Sequence, residues 1–369
     1  MRVAGLRENT INHLPKEEMT MRGTKALGFF WTVFIFFIFP VGLALGQSTF
    51  TMKMATVWST DDTATNKCLN YLKPRIEQLT KGRVKVELRK GTLGGERDMY
   101  EGVQLGTIES ACLTTGTLGG FVPLAEIFMV PYLFKDWNHA YASVSGPFGE
   151  HLNKLMLDRG MRNLSWWSCG GREIYGKGEP IPTTPDLLKG KKIRVMETPF
   201  LVELYKHYGA LPTPMAFPEV YTALQQGVID GVQAGLSTYA SGHHEVSKWI
   251  VIIRENATLM TFVVSEKWWS KLPDELKGEV RQAIQEGTVI NHVLDEREEA
   301  LTEKKWGAAG VKVVYGNREA FQAKARELYP KFAQRLGGDQ WLKWIEEVGK
   351  AFPVEQYPPI KEYKMKYNF

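Results

Sequence analysis

Cysteine is scarce: three in 369 residues, at Cys68, Cys112 and Cys169. They form no C-x-x-C pair and no metal-ligand spacing, which excludes a disulfide framework and a cysteine-based zinc site. Buried thiols are the plain reading, and one structural pair is left open. A Walker loop, G-x-G-x-x-G, H-E-x-x-H and G-x-S-x-G are all missing, so no phosphate cradle, dinucleotide fingerprint or activated nucleophile is legible. The seven histidines are scattered. His243-His244 precede Glu245 on an expected helix, where adjacent residues face different directions, so no metal pair is expected there. Asp61-Asp62 reads as a solvated helix entry. No catalytic residue, cofactor or metal is therefore expected, although an exported α/β enzyme stays as an alternative, because triads are recognised by geometry rather than spacing. A charge of one sign is lacking too. Lys+Arg is 46 against 41 Asp+Glu, a net +5 without a dense basic run, which gives no argument for nucleic acid.

Long hydrophobic runs are lacking after the first one. Ala26–Leu45 is apolar apart from Thr32, follows Arg22 and Lys25, and ends in Ala44-Leu45-Gly46. Small residues at the two positions a signal peptidase reads make residues 1–46 a signal peptide and Gln47 the mature N-terminus. A permanent anchor is the competing reading, disfavoured by Pro40, Gly42 and the small-x-small site. Met19 and Met21 are alternative starts. A soluble, exported product is expected.

What is present is ordinary globular material, 44% apolar and 24% charged, long enough for about two domains with real cores. Short apolar runs alternate with helical patterns, the signature of an α/β protein. Met52–Val57 reads as a strand, Thr63–Thr80 as a helix containing Pro74, Val84–Leu88 and Lys192–Met196 as strands. Tyr100–Ala111 aligns without gaps on Tyr221–Val232, matching at Tyr100/Tyr221, Gln104/Gln225, Gly106/Gly227, Ile108/Ile229 and Glu109/Asp230. Each copy reads as a helix stopped by a glycine with positive φ, then a buried strand. Two equivalent lobes around a cleft that closes on a solute follow. A helix from Asp274 to about Ala309, at ~1.5 Å per residue roughly 50 Å long, would touch both. A strand at Gly310–Val314 and helices at about Arg318–Leu336 and Gln340–Ala351 end the chain.

Two arginines stand out. Arg194 lies between Ile193 and Val195 on a strand, so its side chain points to the face opposite theirs, near the strand end. There a guanidinium can hold a carboxylate through two parallel hydrogen bonds. Arg172 follows Trp166-Trp167-Ser168-Cys169-Gly170-Gly171, read as an aromatic strand end and a glycine turn.

Several longer segments carry a resemblance. Gly91-Thr-Leu-Gly-Gly-Glu-Arg97, Val130-Pro-Tyr-Leu-Phe134, Thr184-Pro-Asp-Leu-Leu-Lys-Gly-Lys-Lys-Ile-Arg-Val-Met196 and Pro212-Thr-Pro-Met215 occur in order, followed by Glu219-Val-Tyr-Thr-Ala-Leu-Gln-Gln-Gly-Val-Ile-Asp-Gly231. Over nearly the whole mature chain the sequence resembles the DctP-type solute receptors of TRAP (tripartite ATP-independent periplasmic) transporters. The resemblance implies a two-lobed α/β periplasmic-binding-protein fold, type II-like, with hinge strands and a long helix spanning both lobes. The lobes would be 47–170 with about 259–300, and 171–258 with about 301–369. It implies a periplasmic monomer that closes on an organic anion and delivers it to a small and a large membrane subunit. By motif, Arg194 corresponds to the arginine that pairs with the substrate carboxylate, Arg172 to the second basic residue, and Phe217 to the aromatic against the substrate. Trp58, Glu96 and Thr115 fall on segments lining the first lobe's side. One departure is informative: where many relatives read DGQENP, this chain has Asp230-Gly-Val-Gln-Ala-Gly235, with Ala234 in place of the asparagine. Together with Trp58, Trp167 and Phe217 this suggests a monocarboxylate with an apolar or aromatic portion, unless Gln233 or a water takes over the asparagine's contact. The alternatives are a C4-dicarboxylate or sugar-acid receptor, and a receptor presenting its ligand to a sensor.

Overall fold

The computed structural model describes residues 48–350; the expected signal peptide and its cleavage at Gln47 lie outside them. The first half opens with β1 (Phe50–Thr56), α1 (Ala64–Leu79), β2 (Val84–Lys90), α2 (Glu96–Leu105), β3 (Ser110–Thr114) and the single turn α3 (Thr115–Leu118). Thr63 caps α1 by accepting from Asn66 N at 3.2 Å, as N-cap threonines do. Pro74 sits inside α1 without ending it, because Cys68, Leu69, Leu72 and Ile76 bury one face against the core. After α4 (Trp137–Val144) and α5 (Pro147–Leu157) comes β4 (Met161–Gly176). The second half contains β5 (Lys192–Val195), α6 (Pro199–His207), β6 (Leu211–Pro214), α7 (Val220–Gln226), β7 (Gly231–Gly235) and β8 (Trp249–Ile252). Then β9 (Ala257–Ser265) returns to the first sheet. It is followed by α8 (Glu266–Trp269), α9 (Asp274–Ala308), β10 (Lys312–Tyr315), α10 (Arg318–Arg326), α11 (Tyr329–Arg335) and α12 (Gln340–Lys350).

The strands hydrogen-bond in the order β2-β1-β3-β9-β4-β7-β5-β6, with β8 pairing β4 and β10. This order is palindromic. β1 lies parallel between β2 and β3, and β9 runs antiparallel to β3. β5 lies parallel between β6 and β7, and β4 runs antiparallel to β7. The repeat seen in the sequence is the equivalent unit of each half. Gly106 and Gly227 end α2 and α7 in the left-handed region at φ 82° and 75°, and β3 and β7 follow.

Three sequence expectations change. Trp166–Gly171 is not a strand end and turn: β4 runs straight through, pairing β9 up to Gly171 and β7 from Arg172. The two glycines are absorbed as a bulge, with a register shift between Ser168 and Gly171 and Gly170 at φ +69°. The helix expected over Arg318–Leu336 breaks into α10 and α11, with Pro330 in the first turn of α11; proline lacks an N–H and its ring disfavours helix in the preceding residue. His243–Val246 forms a 3-10 turn instead of an α-helix, after Gly242 at φ +81°.

The 35-residue α9 is the expected long helix. It packs on α1, on β4 and on the segment after β7. Gly287 lets it approach closely, since a Cβ there would lie 2.8 Å from Leu72 Cδ2. Arg75 holds Glu286 in a fork at 2.7 and 2.8 Å.

Candidate functional site

A cleft opens where the parallel strands of both halves end, the place where α/β sheets bind ligands. Trp58 follows β1, Glu96 starts α2, and Thr114 and Thr117 flank the start of α3. From the other side come Arg194 and Met196 at the end of β5, Met215 and Phe217 beyond β6, and Ser237 and Thr238 after β7. Arg172 reaches the cleft from β4, the strand shared by the two halves.

The two arginines dominate the electrostatics. Arg172 is 5% and Arg194 3% exposed, and neither forms an ion pair among the described residues. Arg194 Nε and Nη2 both donate to Met215 O, at 2.9 and 2.7 Å. That fixes the plane of the guanidinium and leaves its Nη1 edge free of protein acceptors. Arg172 Nε donates to Thr258 Oγ1 at 2.8 Å and its Nη2 approaches Met196 Sδ at 3.8 Å, a weak acceptor. Burial pushes Arg194 down to about 10, and the neighbouring Arg172 cation adds to the shift. Two buried cations side by side are costly unless an anion joins them.

Glu96 is the buried carboxylate of the cleft, 8% exposed. It accepts from Thr114 N at 2.8 Å, from Thr117 Oγ1 at 2.7 Å and from Thr114 Oγ1. Its place at the N-terminus of α2 also favours the negative charge. Trp58 and Phe217 face each other with ring centroids 6.3 Å apart. Phe217 is stacked on His243 at 5.2 Å and 10°, and His243 Nδ1 shares a 2.6 Å hydrogen bond with Tyr175 OH. Burial first, then the charge of Arg194, lowers His243 to about 3, so this imidazole is neutral.

Of the eight residues singled out in the sequence, Arg194, Arg172, Phe217, Trp58 and Glu96 meet in this cleft. Thr115, Trp167 and Gln233 do not line it. Thr115 Oγ1 donates to Leu259 O at 2.9 Å. Trp167 is fully buried, its ring 5.4 Å from Phe262. Gln233 Nε2 donates to Glu255 Oε2 at 2.9 Å in the strand connection behind Arg172. Ala234 is buried in an apolar cluster with Tyr175, Val232 and Leu236 and does not line the cleft. Met196, Met215, Ser237, Thr238 and Thr117 were not anticipated; their shared signal is a position at the carboxyl end of a strand or in the turn after it. The three cysteines are buried free thiols. Among the described residues no cluster of His, Cys, Asp and Glu could hold a metal, and no helix is long and apolar enough to cross a membrane.

An α/β sheet of this order, with a long helix across it and an arginine-lined cleft at the strand ends, defines a solute receptor with the periplasmic-binding-protein fold. Residues 54–335 match the DctP family, described as bacterial extracellular solute-binding protein, family 7, and the chain belongs to it. A solute-binding protein of Verminephrobacter eiseniae is 31% identical over 297 residues, 80% of this chain and 88% of that protein. A TRAP periplasmic solute-binding protein of Polaromonas sp. JS666, bound to D-erythronate, superposes with a TM-score of 0.76 at 31% identity, covering 81% of this chain and 98% of that one. A Bordetella homologue with density interpreted as pantoate gives a TM-score of 0.77 at 29% identity over 83% of this chain and 100% of that one. The chain is a TRAP-type solute-binding protein, and such proteins are receptors, not enzymes. The homologues are periplasmic.

Proposed function

We propose that the chain binds an organic monocarboxylate with a compact apolar portion and hands it, in the periplasm, to the two membrane subunits of a TRAP transporter. The observation that carries this reading is the pair of buried guanidinium groups, Arg172 and Arg194, facing one cleft without a carboxylate partner. The ligand carboxylate takes the free Nη1 edge of Arg194, and Arg172 assists it or binds a neighbouring hydroxyl or oxo oxygen. Glu96 argues against a second carboxylate, because two anions confined in a cleft of low polarity repel. It suits a hydroxyl donor instead. Trp58, Phe217, Met196 and Met215 offer apolar walls to the rest of the molecule. Pantoate, the acid interpreted in the Bordetella homologue, joins these features: one carboxylate, hydroxyls and a branched apolar centre.

Closure on the ligand is part of the same proposal. In that proposal the two halves of the palindromic sheet act as lobes, with α12 packed on α4 of the first half and not, as expected from the sequence, with the second, and only the closed form brings contacts from both to one ligand. The test is a thermal-shift screen of the chain from Gln47, refolded to strip carried ligand, against pantoate, D-erythronate, branched and aromatic 2-oxo and 2-hydroxy acids, and succinate. Ligand at ~100-fold over Kd stabilises by about 2.7 kcal/mol. A response to the branched or aromatic monocarboxylates is the expected result. A response to succinate alone would overturn the monocarboxylate reading, and no response to any acid would overturn the anion site.

A further inference from the structure

The bulge in β4 leaves a run of backbone N–H groups without strand partners immediately before Arg172. Between Ser168 and Gly171 the pairing with β9 skips register. The missing acceptors come from one face of α9. Asn291 Oδ1 accepts from Ser168 N at 2.9 Å, Asp295 Oδ2 from Gly170 N at 2.9 Å, and Glu299 Oε1 from Gly171 N at 3.3 Å. Positions 291, 295 and 299 are successive i, i+4 neighbours, so the three side chains form a single row along the helix. Arg172 N then bonds Asn256 O at 3.1 Å, and normal pairing resumes. Asn291 and Asp295 are buried, and Glu299 Oε2 is fixed by Trp137 Nε1 at 3.1 Å.

The glycines fit this arrangement. Gly170 supplies φ +69°, and at Gly171 a Cβ would lie 3.1 Å from Glu299 Oε1. Neither Asp295 nor Glu299 lines the cleft. We propose that Asp295 and Glu299 are positioning residues: they tie the bulge to α9 and so set the direction in which Arg172 enters the ligand cleft. Because α9 also packs on α1 and on the segment after β7, the latch joins the aim of one ligand anchor to the helix that spans both halves.

The role assigned to Arg172 rests on the receptor reading above, whereas the latch itself can be tested without ligand. The probe is the Arg172 Nε–H resonance in the unliganded chain from Gln47 with 15N-labelled arginine, identified by its loss in Arg172→Lys. In Asp295→Ala its solvent exchange should accelerate at least tenfold, as should exchange of the Gly170 amide. Asp295→Asn keeps an acceptor oxygen and should stay within twofold of the wild type. Val280→Ala, a cavity variant elsewhere in α9, controls for general loss of stability and should leave the resonance unchanged. An unaltered Arg172 resonance in Asp295→Ala, or an equal change in Val280→Ala, would overturn the latch. With pantoate as binding probe, Asp295→Ala should lose at least tenfold in affinity and Asp295→Asn no more than twofold. Failure of the wild type to bind pantoate would count against the ligand reading and leave the exchange result standing.

Discussion

At the scale of single residues the cleft is dominated by two buried arginines, Arg172 and Arg194. Arg194 is held by one backbone carbonyl and depressed by burial, so under the proposed function its charge is a cost to the unliganded fold that a bound carboxylate would offset. Arg194→Ala should therefore weaken acid binding by roughly 100-fold or more, since charge-assisted paired hydrogen bonds are the strong ones. The melting temperature of the unliganded protein should stay level or rise. Calorimetric titration with the strongest acid from the screen, beside a thermal melt of the apo variant, checks both halves of this expectation. Intact affinity would remove Arg194 from the site. Strand alternation singled out Arg194, and the family resemblance pointed to Arg194, Arg172 and Phe217; all three line the cleft. Trp167 and Gln233 were not placed correctly, since neither residue type nor spacing says which face of a strand meets the cleft. β4 makes this harder, because its bulge resets the alternation between Trp167 and Arg172.

At the scale of elements, the internal repeat was the most informative sequence feature, and Gly106 and Gly227 show why. Both stop a helix in the left-handed region so that a buried strand can start a few residues later. Gly106→Ala and Gly227→Ala should each cost about 1 kcal/mol in urea unfolding, the usual penalty for a Cβ at a left-handed cap. A cost at one site alone would break the equivalence of the two halves. Helices α1 and α9 were readable from capping and period. The continuity of β4 was hidden, because Gly170-Gly171 looks like a turn unless the acceptors on α9 are known. The break between α10 and α11 could have been read from Pro330, whose ring a continuous helix would not tolerate without a kink.

At the scale of the whole molecule, buried carboxyls gather where β4, α9 and the connection from β8 to β9 meet. Burial pushes Glu173 up to about 8, and Glu255 and Asp295 up to about 7. A carboxyl raised in the folded state binds its proton more tightly than in the unfolded chain. Its stabilising contribution is full below the ordinary carboxylate range and disappears as pH rises through the folded value. Stability of the unliganded protein should thus fall between pH 6.5 and 8.5. Glu173 accounts for on the order of 2 kcal/mol of that fall, so Glu173→Gln should flatten the curve by a comparable amount in urea titrations at the two pH values. A wild-type stability that rises over this interval would contradict the assignment. The palindromic sheet has one more consequence, for the order in which the chain can fold as it is made. β3 has no partner on its inner side until β9, residues 257–265, has been synthesised, and α9 follows later still. An emerging polypeptide therefore cannot complete its first half early, as chains built from consecutive domains do. The inner edge of its first sheet stays open until β9 has emerged, so completion of that half waits for the chain to pass residue 265.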